Sequence, residues 1–296
     1  MEIIFLGTSG MQPTKQRNQP SIYLSYGSTK LLIDCGEGTQ RQMNIAGLKP
    51  TKLSKILITH FHGDHVLGLG GLIRNLGANE FKGTLEIFGP HGLNDYYKNI
   101  MHSCVFNEKI NVKLKELKQG IVYKDNEFVV YTKRLDHTSA SYGFRFEEKP
   151  KRKINLEFLK KIGLIKDPLL GGLQRGNDII WQGKKIYVKD ATYLLKSKII
   201  TVISDTRFCK NTIELAKDAD LLICECTFLD EEKKAREYMH LSAKDVAKIG
   251  NEARVKKIIV THFSQRYKNT GLIKKEISSN FKGDVVCADD FLKIKM

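Results

Sequence analysis

Lys55-Ile56-Leu57-Ile58-Thr59-His60-Phe61-His62-Gly63-Asp64-His65 runs from an apolar, β-branched stretch straight into three imidazoles and a carboxylate. The apolar part has the make-up of a buried strand. His60 and His62 alternate along an extended chain, so both leave the strand end on one side. Gly63 permits a tight turn. Asp64 and His65 then open a helix whose Val66, Leu69, Leu72, Ile73 and Leu76 keep helical spacing. A carboxylate in that first turn gains from the positive end of the helix dipole. Nitrogen and oxygen donors this dense suit Zn2+, and Mn2+ or Fe2+ fit the same set. Without a cation, so many desolvated imidazoles would lack partners.

Working outward, the runs 30–33, 85–88, 128–132, 199–204, 220–224 and 257–261 also read as strands, separated by Gly turns and amphipathic helices. That alternation predicts an α/β protein. Donor residues follow several of these runs: His137 after 128–132, Asp205 after 199–204 and His262 after 257–261. Strand ends bring residues from distant sequence to one cleft. Together with His60, His62, Asp64 and His65 they exceed what one catalytic ion with an open position takes. Two ions sharing a group fit better, and Asp205 is the natural bridge because a carboxylate has two oxygens. Such a pair would supply hydroxide at neutral pH and stabilise charge on an attacked phosphate, which predicts a hydrolase. The run 55–61 is echoed by Lys257-Ile258-Ile259-Val260-Thr261-His262-Phe263, which predicts two pseudo-symmetric halves facing one cleft.

The 296 residues suffice for one large domain, and an apolar share of 41% with 28% charged residues excludes a disordered or collagen-like chain. A net charge of +16 favours polyanionic partners. No apolar run approaches the roughly 18 residues that cross a bilayer. Met1 leads directly into Ile3-Ile4-Phe5-Leu6, so no export leader is expected. The six cysteines include no C-x-x-C pair and read as reduced thiols of a cytoplasmic protein. Between residues 149 and 175, eight Lys or Arg stand against two acids. Leu156, Leu159, Ile162 and Leu164 space out a short helix there, ended by Pro168 and Gly171-Gly172. This segment predicts a basic arm reaching for a large anion. His91 and His102 read as turn and helix-surface residues, and Trp181 as packing.

H-x-H-x-D-H followed by distant His, Asp and His resembles the metallo-β-lactamase superfamily, as does the turn Ile33-Asp34-Cys35-Gly36-Glu37-Gly38. Within it, Pro13-Thr14-Lys15-Gln16-Arg17-Asn18 resembles the P-x-K-x-R-N loop of the RNase Z family, and Ser204-Asp205-Thr206-Arg207 its G-D-T-R segment. Thr261-His262-Phe263-Ser264-Gln265-Arg266-Tyr267 resembles T-H-x-S-x-R-Y, with Cys224-Glu225-Cys226-Thr227 where the family has H-E-A-T and His240-Leu241-Ser242 where it has H-S-T. Cys224, Cys226 and Leu241 depart from those patterns.

The resemblance implies an αβ/βα four-layer sandwich over 1–296 with an inserted flexible arm at about 149–185 serving as a tRNA-binding exosite. It implies two Zn2+ per subunit, one on His60, His62 and His137, the other on Asp64, His65 and His262, with Asp205 shared. The implied activity is endonucleolytic removal of the 3′ trailer from precursor tRNA just after the discriminator nucleotide, leaving a 3′-hydroxyl on the tRNA and a 5′-phosphate on the trailer. His240 would act as general acid oriented by Glu225, and Asp64 as a further base. Lys15, Arg17, Asn18, Thr227 and Arg266 would contact substrate. A homodimer without other protein partners is also implied. Ser242 as N-cap with Asp245 three residues on predicts a helix just after His240. The competing expectations are another phosphodiesterase or a thiolesterase of the same fold, acting on small nucleotides, other RNA or thioesters, and a metal-stabilised RNA-binding protein without catalysis.

Overall fold

Among residues 1–105 and 109–296, which the computed structural model describes, the strands assemble into two seven-stranded sheets. The first contains β1 (Glu2–Gly7), β2 (Ser21–Tyr26), β3 (Thr29–Ile33), β4 (Lys55–Leu57), β5 (Thr84–Gly89) and β6 (Asn111–Glu116). The second contains β7 (Gly120–Lys124), β8 (Phe128–Leu135), β9 (Ser141–Glu148), β10 (Ile199–Ile203), β11 (Leu221–Glu225), β12 (Lys257–Thr261) and β13 (Asp284–Cys287). A last strand, β14 (Lys293–Lys295), returns to pair with β1. The orders are β14-β1-β2-β3-β4-β5-β6 and β7-β8-β9-β10-β11-β12-β13.

Strand alternation makes the layers. In β1, Ile3 and Phe5 enter the cluster between the sheets, while Ile4 and Leu6 enter a second cluster under the helices. Leu221 and Ile223 of β11 face the inter-sheet core, and Leu222 and Cys224 face the helices on the far side. Phe5, Phe128, Phe144 and Phe146 are fully buried between the sheets, each contributing roughly 1.5–3 kcal/mol of burial free energy. The helix Leu69–Ala78 covers the first sheet and Ala243–Glu252 the second. The four-layer α/β sandwich expected from the sequence is what forms.

Each sheet has three antiparallel pairings followed by three parallel ones, so the halves are alike. The repeated Thr-His-Phe runs are not equivalent, however: β4 is fifth in its sheet and β12 is sixth. Both are internal parallel strands covered on two faces, which demands the same apolar letters. The echo therefore marks two strand ends at the cleft, not matching positions in the two halves.

Three local expectations are corrected. The strand expected at 55–59 is paired only over Lys55–Leu57, because the Thr59 N–H donates to the Asp34 carboxylate (2.7 Å) instead of to a neighbouring strand. The helix after His62 breaks into Gly63–Val66 and Leu69–Ala78. Gly68 lies between them, so close to the turn after β3 that a Cβ there would fall 2.0 Å from the Gly36 carbonyl oxygen. Gly171 and Gly172 do not end a helix but lie inside one, Leu170–Gln174, while the preceding helix Leu156–Lys161 stops before Gly163 at φ 75°.

The basic segment has its own architecture. Arg152–Ile154 pairs with Thr192–Leu194, and Ile179–Trp181 with Lys184–Ile186. Leu159, Leu164, Leu173, Ile179, Ile186 and Ala191 form a separate small core, with Trp181 packed on it. The paired stem closes at Thr192–Leu194, beyond the expected limit of 185. It leaves and re-enters the body side by side, where Glu148 N–H donates to Lys198 O at 2.9 Å. Among the described residues, no helix is long and apolar enough to cross a membrane.

Candidate metal centre and active site

Asp34, His60, His137, Asp205, Glu225 and His262 all sit at or just beyond strand ends on one edge of the sandwich. All seven expected donors converge there. His60, His62, His137 and Asp205 form one group and Asp64, His65 and His262 another, the ligand atoms within each lying no more than 4.8 Å apart. Asp205, 3% exposed, stands between them. Its Oδ2 faces His60 Nε2 (3.7 Å) and His137 Nε2 (3.9 Å), while Oδ1 faces His65 Nε2 (3.5 Å) and His262 Nε2 (3.2 Å). One carboxylate thus addresses each group with a different oxygen.

The donor set fits a pair of divalent cations. His65 Nε2 and His262 Nε2 are buried without a hydrogen-bond partner, although carboxylate oxygens lie 3.2–3.6 Å away. Orphaned buried nitrogens are costly. His62 Nδ1 meets two nitrogens at once, His60 Nε2 at 3.1 Å and His137 Nε2 at 3.2 Å. Two atoms bound at about 2.0–2.1 Å to one tetrahedral ion stand roughly 3.3 Å apart, the spacing of a coordination edge.

Electrostatics favours the ligand forms of His60 and Asp205, whereas Asp205 and Asp34 outweigh burial and hold His65 well above the usual imidazole range. Burial, reinforced by the His65 charge, holds His60 well below the usual imidazole range. Burial raises the Asp205 carboxyl, but His262 and His65 outweigh it and hold Asp205 well below its usual value. Burial likewise opposes charge on His240, yet Glu225 and Asp205 outweigh it and push that imidazole up to about 9.

Each imidazole is aimed from behind. His137 Nδ1 donates to Met239 O (2.9 Å), and His65 Nδ1 meets Asp34 Oδ2 (2.7 Å). Asp34 lies just past β3 at φ 60° and His262 just past β12 at φ 58°, left-handed conformations that cost side-chain-bearing residues of order 1–3 kcal/mol. Gly10 passes His262 so closely that a Cβ would lie 2.8 Å from the ring. Asp64 Oδ2 accepts the Met11 N–H (2.9 Å).

The expected acid and its support also come together. His240 Nδ1 is 2.9 Å from Glu225 Oε1, and fully buried Glu225 further accepts the N–H groups of Thr206 (3.0 Å), Thr227 (3.1 Å) and Leu241 (3.3 Å). Leu241 contributes through its backbone, so an apolar side chain there leaves the contact intact. Cys224 and Cys226 are core residues whose thiols burial pushes well above the usual range. The expected capping box of Ser242 and Asp245 is present.

The expected substrate contacts divide. Lys15 is exposed on a groove of about 590 Å³ that also meets Arg17, Phe263, Gln265 and Lys268. Arg17 is 12% exposed and donates to Thr8, Ala288 O and Asp289, with its guanidinium over Phe263, so it pins the loop instead of offering a free charge. Asn18 ties that loop to Glu37 O and Asp290. Arg266 reaches Glu231 and the Phe228 ring. Thr227 spends its hydroxyl on Glu225, His240 and His262. Asp34 and Thr59, unassigned from sequence, prove central; the only local signal was an acid directly at a strand end before a Gly-rich turn.

Residues 1–154 match the family model described as anti-Pycsar protein Apyc1. Over 98% of its length the chain is 35% identical to the ribonuclease Z of Chlamydia caviae, covering 95% of that protein. The chain belongs to the ribonuclease Z family. Among solved structures, human tRNase Z, short form, superposes with a TM-score of 0.72 at 27% identity, covering 100% of this chain and 99% of that one. The metallo-β-lactamase fold protein YhfI from Bacillus subtilis has the same TM-score at 18% identity, covering 99% and 98%, which shows the shared fold. As a member of the ribonuclease Z family the chain is an endoribonuclease, a phosphodiester hydrolase of the metallo-β-lactamase fold.

Proposed function

We propose that this endoribonuclease is zinc-dependent and removes the 3′ trailer of precursor tRNA just after the discriminator nucleotide. The observation that carries this is Asp205, one oxygen toward each histidine group, with His240 and Glu225 at its edge. A divalent pair held by His60, His62, His137, Asp64, His65 and His262 with shared Asp205 would supply Lewis acidity, an acidified water and neutralisation of phosphate charge.

The chain's own residues do the rest. Asp64, fixed through Met11 N–H, takes a proton from the attacking water as its oxygen bonds to phosphorus. The P–O3′ bond breaks, so the phosphate stays on the trailer. His240, its Nδ1 held by Glu225, gives a proton to the departing O3′. Lys15 and the basic arm contact the phosphate backbone, because an A-form stem offers shape and charge more than readable base edges. A cytoplasmic homodimer, with one subunit's arm serving the other's cleft, completes the proposal.

Action on small cyclic or linear nucleotides is the second reading. A small substrate has no use for the basic arm, which begins where the match to the anti-Pycsar family model over residues 1–154 ends. Incubation with a 3′-extended precursor tRNA is expected to yield one cut, mapped to the nucleotide after the discriminator, and no cut in excess chelator. Scattered cuts, or cleavage of small cyclic phosphodiesters alone, would reject the proposal.

A further inference from the structure

Two histidines of the centre are backed by hydroxyls, which can either donate or accept. His60 Nδ1 lies 2.9 Å from Thr59 Oγ1, and His262 Nδ1 lies 2.9 Å from Thr227 Oγ1. A neutral imidazole carries its proton on one nitrogen only. If the hydroxyl donated, the proton would be forced onto Nε2, which faces the centre, and that nitrogen could not bind a cation. A threonine hydroxyl has one proton, so whoever claims it decides the matter.

A carboxylate claims it in both places. Thr59 Oγ1 donates to Asp34 Oδ2 (2.8 Å), and Thr227 Oγ1 donates to Glu225 Oε2 (2.7 Å). The other possible acceptors for Thr227, His240 Nδ1 at 3.2 Å and His262 O at 3.3 Å, are farther and carry no negative charge. Charge-assisted bonds are roughly twice as strong as neutral ones, so the carboxylates win the proton. Each threonine oxygen is then left only to accept, and the imidazole must donate from Nδ1. Asp34 meanwhile takes the Nδ1 proton of His65 directly, as Glu225 takes that of His240.

We propose that Asp34–Thr59–His60 and Glu225–Thr227–His262 are paired hydroxyl relays, one in each half of the molecule, which hold both histidines in the Nδ1–H form with Nε2 free for a cation. This rests on the metal-centre reading above. Thr59 and Thr227 are positioning residues, and Thr227 serves here instead of contacting substrate. The repeated Thr-His pair is misleading on this point: Thr59 serves the histidine beside it, whereas His262 is served by a threonine 35 residues earlier in the chain. Glu225 gains a double role, orienting the proton donor directly and a cation ligand through Thr227.

The test compares Thr59→Val, Thr227→Val and the corresponding Ser variants with the native protein, all isolated with metal. Bound metal is followed through a titration with a chromophoric chelator. Each Val variant keeps the shape and removes the hydroxyl, and is expected to release one ion about 10–100-fold more readily while retaining the other. Each Ser variant is expected to hold both ions within a few-fold of native. Native retention of both ions by the Val variants would overturn the relay, as would Ser variants no better than Val. Thermal melts with saturating Zn2+ separate loss of the relay from misfolding. A native protein that takes up no divalent ion would bring down the metal centre itself, and the relay with it.

Discussion

Asp205→Asn is expected to lower precursor cleavage at least about 10³-fold, several kcal/mol in the barrier, while leaving RNA affinity within a few-fold of native. Among the described residues, Asp205 is the side chain that addresses both histidine groups, with a different oxygen toward each. An amide has the shape but neither the charge nor a second anionic oxygen. It would also turn N–H donors toward nitrogens that must stay free. RNA affinity should survive because the basic segment lies elsewhere in the chain and depends on phosphate contacts. Single-turnover cleavage, metal content and a filter-binding isotherm read the three quantities. Cleavage within about tenfold of native by a metal-replete Asn variant would show that no shared carboxylate is needed.

Replacing residues 152–194 with a short Gly linker is expected to cost at least about 100-fold in kcat/KM on precursor tRNA. Hydrolysis of bis(p-nitrophenyl) phosphate should be unchanged. The segment has a core of its own and its ends meet at Glu148 and Lys198, so its removal leaves both large sheets paired. It also carries much of the local positive charge. The slope of log affinity against log salt should flatten by roughly 0.7–0.9 for each phosphate that the protein no longer neutralises. Equal loss on both substrates would mean a damaged body, and no loss on the precursor would mean that the arm does not hold the RNA.

The donors were legible because they are dense. Three imidazoles and a carboxylate after one apolar run have few other uses, and Asp205 and His262 follow strands whose letters are apolar on both faces. The arm was legible as charge, though not its stem at Thr192–Leu194, since a three-residue pairing leaves little periodicity. What Arg17 and Thr227 bind within the fold was not legible, for one reason. A cation or hydroxyl in a loop looks available until its partners are known, and here these are Asp289 and Ala288 O for Arg17, and Glu225 for Thr227.

Sequence by itself determined the α/β class and which side chains gather at the cleft, because burial periodicity and donor chemistry are local properties of the chain; the four layers were implied by its resemblance to the metallo-β-lactamase superfamily. Tertiary structure alone decided which nitrogen of each histidine faces the centre and which charges stay free for a substrate. The two ring nitrogens are the same letter in a sequence. Only an acceptor brought from elsewhere in the chain, such as Asp34 behind His65 or Met239 O behind His137, tells them apart.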